Sequence, residues 1–181
     1  SKKCNILHIY MQIKNEQILK MMPPQFGLFG LFFAFMNRLQ AAGDSFYREI
    51  TCKQWFLLAC MNLYTKEAPT ANDLAQTMGC SRQNVKEIIT ALTKKEILLL
   101  KQDKNDKRRQ LIYVTPKYKK LAKKYQDKEE DFLKTLFHGI SDSDIKKVFQ
   151  IISKMEKNLT GEAPDTVPET IGPHPTQEDN K

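Results

Sequence analysis

Apolar residues recur at helical spacing through the middle of this chain, broken by one short stretch that alternates differently. Phe26 to about Asp44 is a mostly apolar run. Thr51 to about Lys66 is a second, in which Trp55 through Met61 is apolar on every side. A helix apolar all round belongs in a core. The clearest one-sided stripe is Val85, Ile88, Ile89 and Leu92, the i, i+3, i+4, i+7 spacing of a single helix face. Leu121, Tyr125, Phe132 and Leu136 recur at intervals of four, seven and four, which predicts a long helix with a partner-facing seam. Ile145, Val148, Phe149, Ile152, Met155 and Leu159 line one face of a last helix.

Punctuation residues set the ends of these elements. Thr70 with Asp73 three positions on forms an approximate capping box, Gly79 stops that helix, and Ser81 caps the next. Pro116 suits the first turn of the long helix. Ser141 with Asp144 opens the last helix and Gly161 is a plausible stop. Between the fourth helix and the long one, Ile97 to Lys101 and Leu111 to Thr115 are short apolar or β-branched segments flanking the polar run Gln102 to Gln110. That pattern predicts a β-hairpin with a long tip. Residues 1–25 end at Pro23-Pro24 and show no clean period, so they are set aside as an arm. Residues 160–181 carry Pro164, Pro168, Pro173 and Pro175 with few large apolar groups, and are expected to form a disordered tail.

Charge sharpens the picture. The 181 residues carry a formal net charge of +8. From Ser81 to Lys124 there are fourteen Lys or Arg against Glu87, Glu96, Asp103 and Asp106, whereas from Thr160 onward five acids face Lys181 alone. A basic centre with an acidic end suits a polyanionic partner. Cys4, Cys52, Cys60 and Cys80 contain no C-x-x-C pair, and His8, His138 and His174 are scattered. These spacings give no metal site, and free thiols fit a reducing cytoplasm. The apolar run Phe26 to Met36 is eleven residues, short of the roughly 18 that a membrane span needs. It reads as helical core rather than a secretory segment, and no membrane partner is expected. With no Gly-rich phosphate loop, nucleophile elbow or metal spacing, the sequence gives no support for an enzyme or a cofactor.

The segment Asp73 to Leu92 has helix-turn-helix form, with Ala75 where two helices approach, Gly79 for the turn and Val85 in the packing stripe. If the stripe faces a core, Ser81, Arg82, Gln83, Asn84, Lys86, Glu87 and Thr90 point outward. Gln and Asn can bond adenine, Arg can fork onto guanine, and a helix N-terminus attracts phosphate. Any surface helix shows a polar outer face, so the basic hairpin that follows decides between the two readings. A basic hairpin behind a recognition helix is a wing, whose Arg enters the minor groove and whose Lys contacts phosphates.

The run Asp103-Lys104-Asn105-Asp106-Lys107-Arg108-Arg109 followed by Leu111-Ile112-Tyr113-Val114-Thr115 resembles the wing of the MarR family, in which an Asp-x-Arg precedes an apolar strand ending in Thr. The resemblance spans Phe26 to about Leu159 and includes Gln54-Trp55 at the start of the second helix. Tyr118 departs from it, standing where many members have Gly. By resemblance, Arg108 is the minor-groove arginine, Asp106 orients it, and Lys104, Lys107 and Arg109 contact phosphates. Thr70, Asn72, Ser81, Arg82, Gln83, Asn84, Lys86 and Thr90 complete the expected DNA-contacting set. Family members bind small aromatic ligands near their dimerisation helices, which implies Phe33, Trp55 or Phe56; core packing is the competing reading. Cys80, next to a helix N-terminus, is the candidate for a thiol switch, against the ordinary role of a small buried hydrophobe.

The expectation is therefore a mainly α protein with a small β-hairpin wing (α+β). A MarR-like domain would cover 26–159, with a winged helix-turn-helix at about 51–115 and dimerisation helices at about 26–44 and 116–159. Its implied function is a transcriptional regulator, in first place a repressor, binding double-stranded DNA as a homodimer on an inverted repeat and released by a small aromatic ligand. The alternatives are a redox sensor acting through Cys80 and a winged-helix module that binds an acidic protein.

Overall fold

The computed structural model describes residues 23–161, so the expected arm, apart from its last three residues, and the tail beyond Gly161 lie outside the described residues, as do Cys4, His8 and His174. Among the described residues, six helices and one antiparallel hairpin follow in the order α1 (Pro24–Phe46), α2 (Cys52–Met61), α3 (Ala71–Met78), α4 (Arg82–Lys94), β1 (Leu98–Gln102), β2 (Gln110–Val114), α5 (Pro116–Leu136) and α6 (Asp142–Thr160). They fall into two compact units, one up to Leu58 and one from Ala59 onward.

In the first unit, α1 opens with Pro24, a residue that costs nothing where the backbone N–H has no helical partner. Thr51 and Gln54 bond reciprocally at the start of α2: Thr51 N–H donates to Gln54 Oε1, and Gln54 N–H to Thr51 Oγ1, both at 3.2 Å. Asp44 Oδ1 accepts from Cys52 N–H at 2.7 Å. Tyr47 stacks on Trp55 with ring centroids 6.1 Å apart.

Two sequence expectations fail here. The helix predicted to run to about Lys66 stops at Met61. A turn follows, and Tyr64 is spent on tertiary bonds, its hydroxyl meeting Asp73 O at 3.0 Å. The apolar run of α1 is not core within this chain: Phe26 is 67% and Phe33 63% exposed, and Gly43 is the buried residue of the helix.

The second unit is built on α4. Val85 and Leu92 are fully buried and Ile89 nearly so, alongside Leu74, Ile97, Leu98 and Ile112. β1 and β2 pair in register from Leu98 opposite Val114 to Gln102 opposite Gln110. Ile112 N–H also donates to Pro69 O at 2.9 Å, which joins β2 to the segment entering α3. At the other end of the hairpin, Thr115 Oγ1 donates to Glu96 O at 2.7 Å. α5 starts at Pro116 and buries Tyr118, Tyr125 and Glu129. α6 runs from its Ser141 cap to Gly161 in the left-handed region, φ 81°, and has no buried residue; Val148, Ile151, Ile152 and Leu159 lie exposed. Among the described residues, no helix is long and apolar enough to cross a membrane.

Candidate nucleic-acid interface

Local rules place the two helices of the helix-turn-helix. Thr70 Oγ1 accepts from Asp73 N–H at 3.4 Å while Asp73 Oδ2 accepts from Thr70 N–H at 2.8 Å, a closed capping box. The turn needs Gly79, whose φ of 63° is strained for a residue with a Cβ. Ser81 Oγ accepts from Asn84 N–H at 3.2 Å and so starts α4. Thr70 and Ser81 thus serve the helix ends with their hydroxyls, while Asn72, Arg82, Gln83, Asn84, Lys86 and Thr90 are exposed.

The hairpin tip organises itself. Asp103 Oδ1 accepts from Asn105 N–H at 2.8 Å, Asp103 N–H donates to Arg109 O at 3.0 Å, and Arg109 N–H donates to Asp106 O at 2.9 Å. Gln102 Nε2 donates to Lys107 O across the base of the loop. Asp106 holds Arg108 three times, accepting from its backbone N–H at 3.0 Å, its Nε at 3.1 Å and its Nη2 at 3.4 Å. The Arg108 side-chain bonds, then its backbone N–H and the nearby Arg109 charge, hold the Asp106 carboxyl below its ordinary range. The Arg108 side chain is nevertheless 92% exposed, so the loop aims a guanidinium at solvent without enclosing it. Arg109, expected to be a free phosphate contact, is partly engaged: its guanidinium lies 3.6 Å from Asp103.

Between α3, α4 and the hairpin lies an open cleft of about 720 Å³. Eight of the expected DNA-contacting residues line it: Thr70 and Asn72 from the start of α3; Arg82, Lys86 and Thr90 from one flank of α4; Lys107, Arg108 and Arg109 from the tip. Ile89, Leu100 and Ile112 also line it, and Gln102 and Gln110 add amides that the sequence reading did not single out. Their signal was available, because position 102 shares a strand face with Leu98 and Leu100 by the two-residue period. Five cations against Asp73, whose carboxylate is committed to Thr70, make the cleft electropositive. Such a concave basic surface next to a helix N-terminus attracts phosphate and admits hydrogen-bonding to base edges. Ser81, Gln83, Asn84, Lys104 and Asp106 stand outside the cleft lining. Gln83 donates instead to Glu87 Oε1 at 3.2 Å.

The remaining candidates do not gather at one place. Phe33 meets Phe29 edge-on with centroids 5.1 Å apart, Trp55 stacks on Tyr47, and Phe56 is 43% exposed. Phe33 and Phe56 are therefore not the core aromatics that the competing reading made them. Cys80 is half-buried, one residue before the α4 cap. Burial, and secondly the nearby Cys80, push the Cys60 thiol up to about 11. Cys52 is half-buried, and its thiol is raised by burial and by Asp44. Among the described residues, no group of three His, Cys, Asp or Glu is placed to hold a metal ion.

Residues 50–109 match the MarR family. The fold is similar to that of the S. aureus MepR–DNA complex, at a TM-score of 0.65 and 21% identity over 72% of this chain and 96% of that one. It is also similar to a MarR/EmrR family transcriptional regulator from Acinetobacter sp. ADP1, at 0.67 and 14% over 78% and 100%. The transcriptional regulator SlyA gives 0.64 and 16% over 74% and 94%. No curated protein matches the chain. The solved structures establish the fold, a winged helix of the MarR type.

Proposed function

Proceeding from a chain whose residues 50–109 match the MarR family, we propose that this protein is a sequence-specific DNA-binding transcriptional regulator. The observation that carries the reading is the placement of Arg108, held by Asp106 yet 92% exposed, beside the cleft that Arg82 and Lys86 share. α4 enters the major groove, and Arg108 enters the neighbouring minor groove while Lys104 and Lys107 neutralise phosphates. Asn72, Asn84 and Thr90 supply further polar contacts, and Thr70 and Ser81 present helix N-termini. The S. aureus MepR structure is of a DNA complex, which supports the same reading here.

The regulator acts as a homodimer on an inverted repeat, with half-sites about 10 bp apart or a multiple of it. The exposed phenylalanines of α1 and the exposed Val148, Ile151 and Ile152 of α6 support this, since large apolar patches on a soluble chain mark interaction surfaces. Repression, released by a small aromatic ligand, is the mode that the family resemblance favours.

The deciding experiment is fluorescence anisotropy with the DNA upstream of the protein's own gene, for wild type and Arg108→Ala, across a salt series and against an unrelated duplex. Salt-steep binding that outcompetes the unrelated duplex and weakens by about 1–3 kcal/mol in the variant is the expected result. Equal weak binding to both duplexes, unchanged by the substitution and with no motif selected from random DNA, would overturn it in favour of a protein-binding module.

A further inference from the structure

The inward direction of α4 is fixed by Val85, Ile89 and Leu92, all buried. At 3.6 residues per turn, the side of the helix farthest from that stripe carries Gln83 and Glu87, both exposed. Arg82 and Lys86 lie on the flank that faces the cleft. Over the first two turns the outermost ridge of the helix is thus an amide and a carboxylate joined by a 3.2 Å hydrogen bond from Gln83 Nε2 to Glu87 Oε1. Glu87 is the only acid between Asp73 and Glu96, and it lies on the side of the helix that would face a groove on the DNA-binding reading.

A carboxylate there is repelled by every phosphate, so it opposes binding to DNA in general. Its repulsion is offset only where a base edge offers it a donor. In the major groove the exocyclic amines of cytosine and adenine are those donors, and a carboxylate, which only accepts, matches the cytosine N4 amine. Gln83 gives one amide hydrogen to Glu87 and keeps its second hydrogen and its oxygen, the two groups that pair with adenine N7 and N6.

Resting on the DNA-binding reading above, we propose that Glu87 is a specificity-determining residue that accepts a hydrogen bond from the N4 amine of a cytosine in each operator half-site, with Gln83 braced against it to read an adenine close by. Four residues of helix advance about 6 Å, and stacked bases on one strand are spaced about 3.4 Å. The two bases therefore lie within about two steps of each other. Glu87 acts through discrimination rather than affinity, because its charge penalises the sites it does not match.

The test is selection from a random duplex library by the full chain, run in parallel for wild type, Glu87→Gln and Glu87→Ala. Both substitutions fall on an exposed position and their folding is checked by thermal melting. Wild type should enrich a half-site with a cytosine at one position. Glu87→Gln should shift that position toward adenine, and Glu87→Ala should lose preference there by about tenfold while the other positions hold. Replacing that cytosine with a 2-pyrimidinone nucleoside, which lacks the N4 amine, should cost wild type about tenfold and Glu87→Ala nothing. If Glu87→Gln enriches the wild-type motif unchanged, Glu87 is only a surface partner of Gln83 and the proposal fails while DNA binding stands. If wild type enriches no motif, the DNA-binding reading fails and the proposal with it.

Discussion

Asp106 grips Arg108 by both its main chain, at 3.0 Å, and its Nε, at 3.1 Å. A carboxylate bonded in this way directs the guanidinium along one line from the loop, reducing the rotamer freedom that a minor-groove contact would otherwise have to remove.

The grip depends on the charge of Asp106. Its folded pKa is lowered, chiefly by the Arg108 side chain and then by the Arg108 backbone N–H. The order it gives the loop is therefore fully present above the ordinary carboxylate range and is lost as pH falls through the lowered folded value. A pH titration followed by NMR of the Asp106 carboxyl carbon and the Arg108 Nε–H should show one shared midpoint, below that of an unstructured Asp. In Arg108→Ala the carboxyl midpoint should move back up.

Two caps hold the helices of the helix-turn-helix. Thr70→Ala opens the capping box of α3 and Ser81→Ala frees the α4 N-terminus. Each should destabilise the protein by about 0.5–2 kcal/mol, measured as a lower urea midpoint at unchanged m-value. Thr70→Ser, which keeps the acceptor, should recover most of the loss.

Gly43 permits a close approach inside α1. A Cβ placed there would stand 2.6 Å from Cys52 Sγ and 2.8 Å from Cys52 Cβ. Alanine usually gains about 1 kcal/mol over glycine in a helix, but here overpacking costs about 1–3 kcal/mol. Gly43→Ala should therefore lower the melting temperature. A rise would show that the Asp44–Cys52 corner yields easily.

The apolar side of α1 gives a test of assembly. Phe29 is 64% and Phe33 63% exposed in the single chain. Phe29→Asp should shift light-scattering mass from dimer toward monomer if that surface is covered by a second copy. An unchanged mass would remove α1 from the interface.

Much of the second unit was legible because its signals are local. The Val85, Ile88, Ile89, Leu92 stripe, the caps at Thr70, Ser81 and Ser141, and the hairpin with its charged tip each follow from residues within one turn or one strand pair. The apolar run Phe26 to Met36 misled because composition reports that a surface avoids water, not which molecule covers it. The end of α2 was overshot because Tyr64 answers to Asp73 and Thr77, partners set by tertiary structure. The Asp103–Arg109 pair depends on side-chain geometry that no spacing rule supplies, whereas the Gln83–Glu87 bond has the i, i+4 spacing of a helix-surface pair and was readable from the sequence.

The bond from Ile112 N–H to Pro69 O makes the hairpin and the entry to α3 a single frame, closed at its far end where Thr115 meets Glu96. Such a frame works as a caliper with fixed jaws. The position of the hairpin relative to the entry of α3 is held by the Ile112–Pro69 backbone bond and by the Thr115 hydroxyl on the Glu96 carbonyl. On the DNA-binding reading proposed above, an operator with one base pair inserted between the α4 contact and the Arg108 contact should bind more weakly than the parent site, because both contacts cannot then be made in the same register.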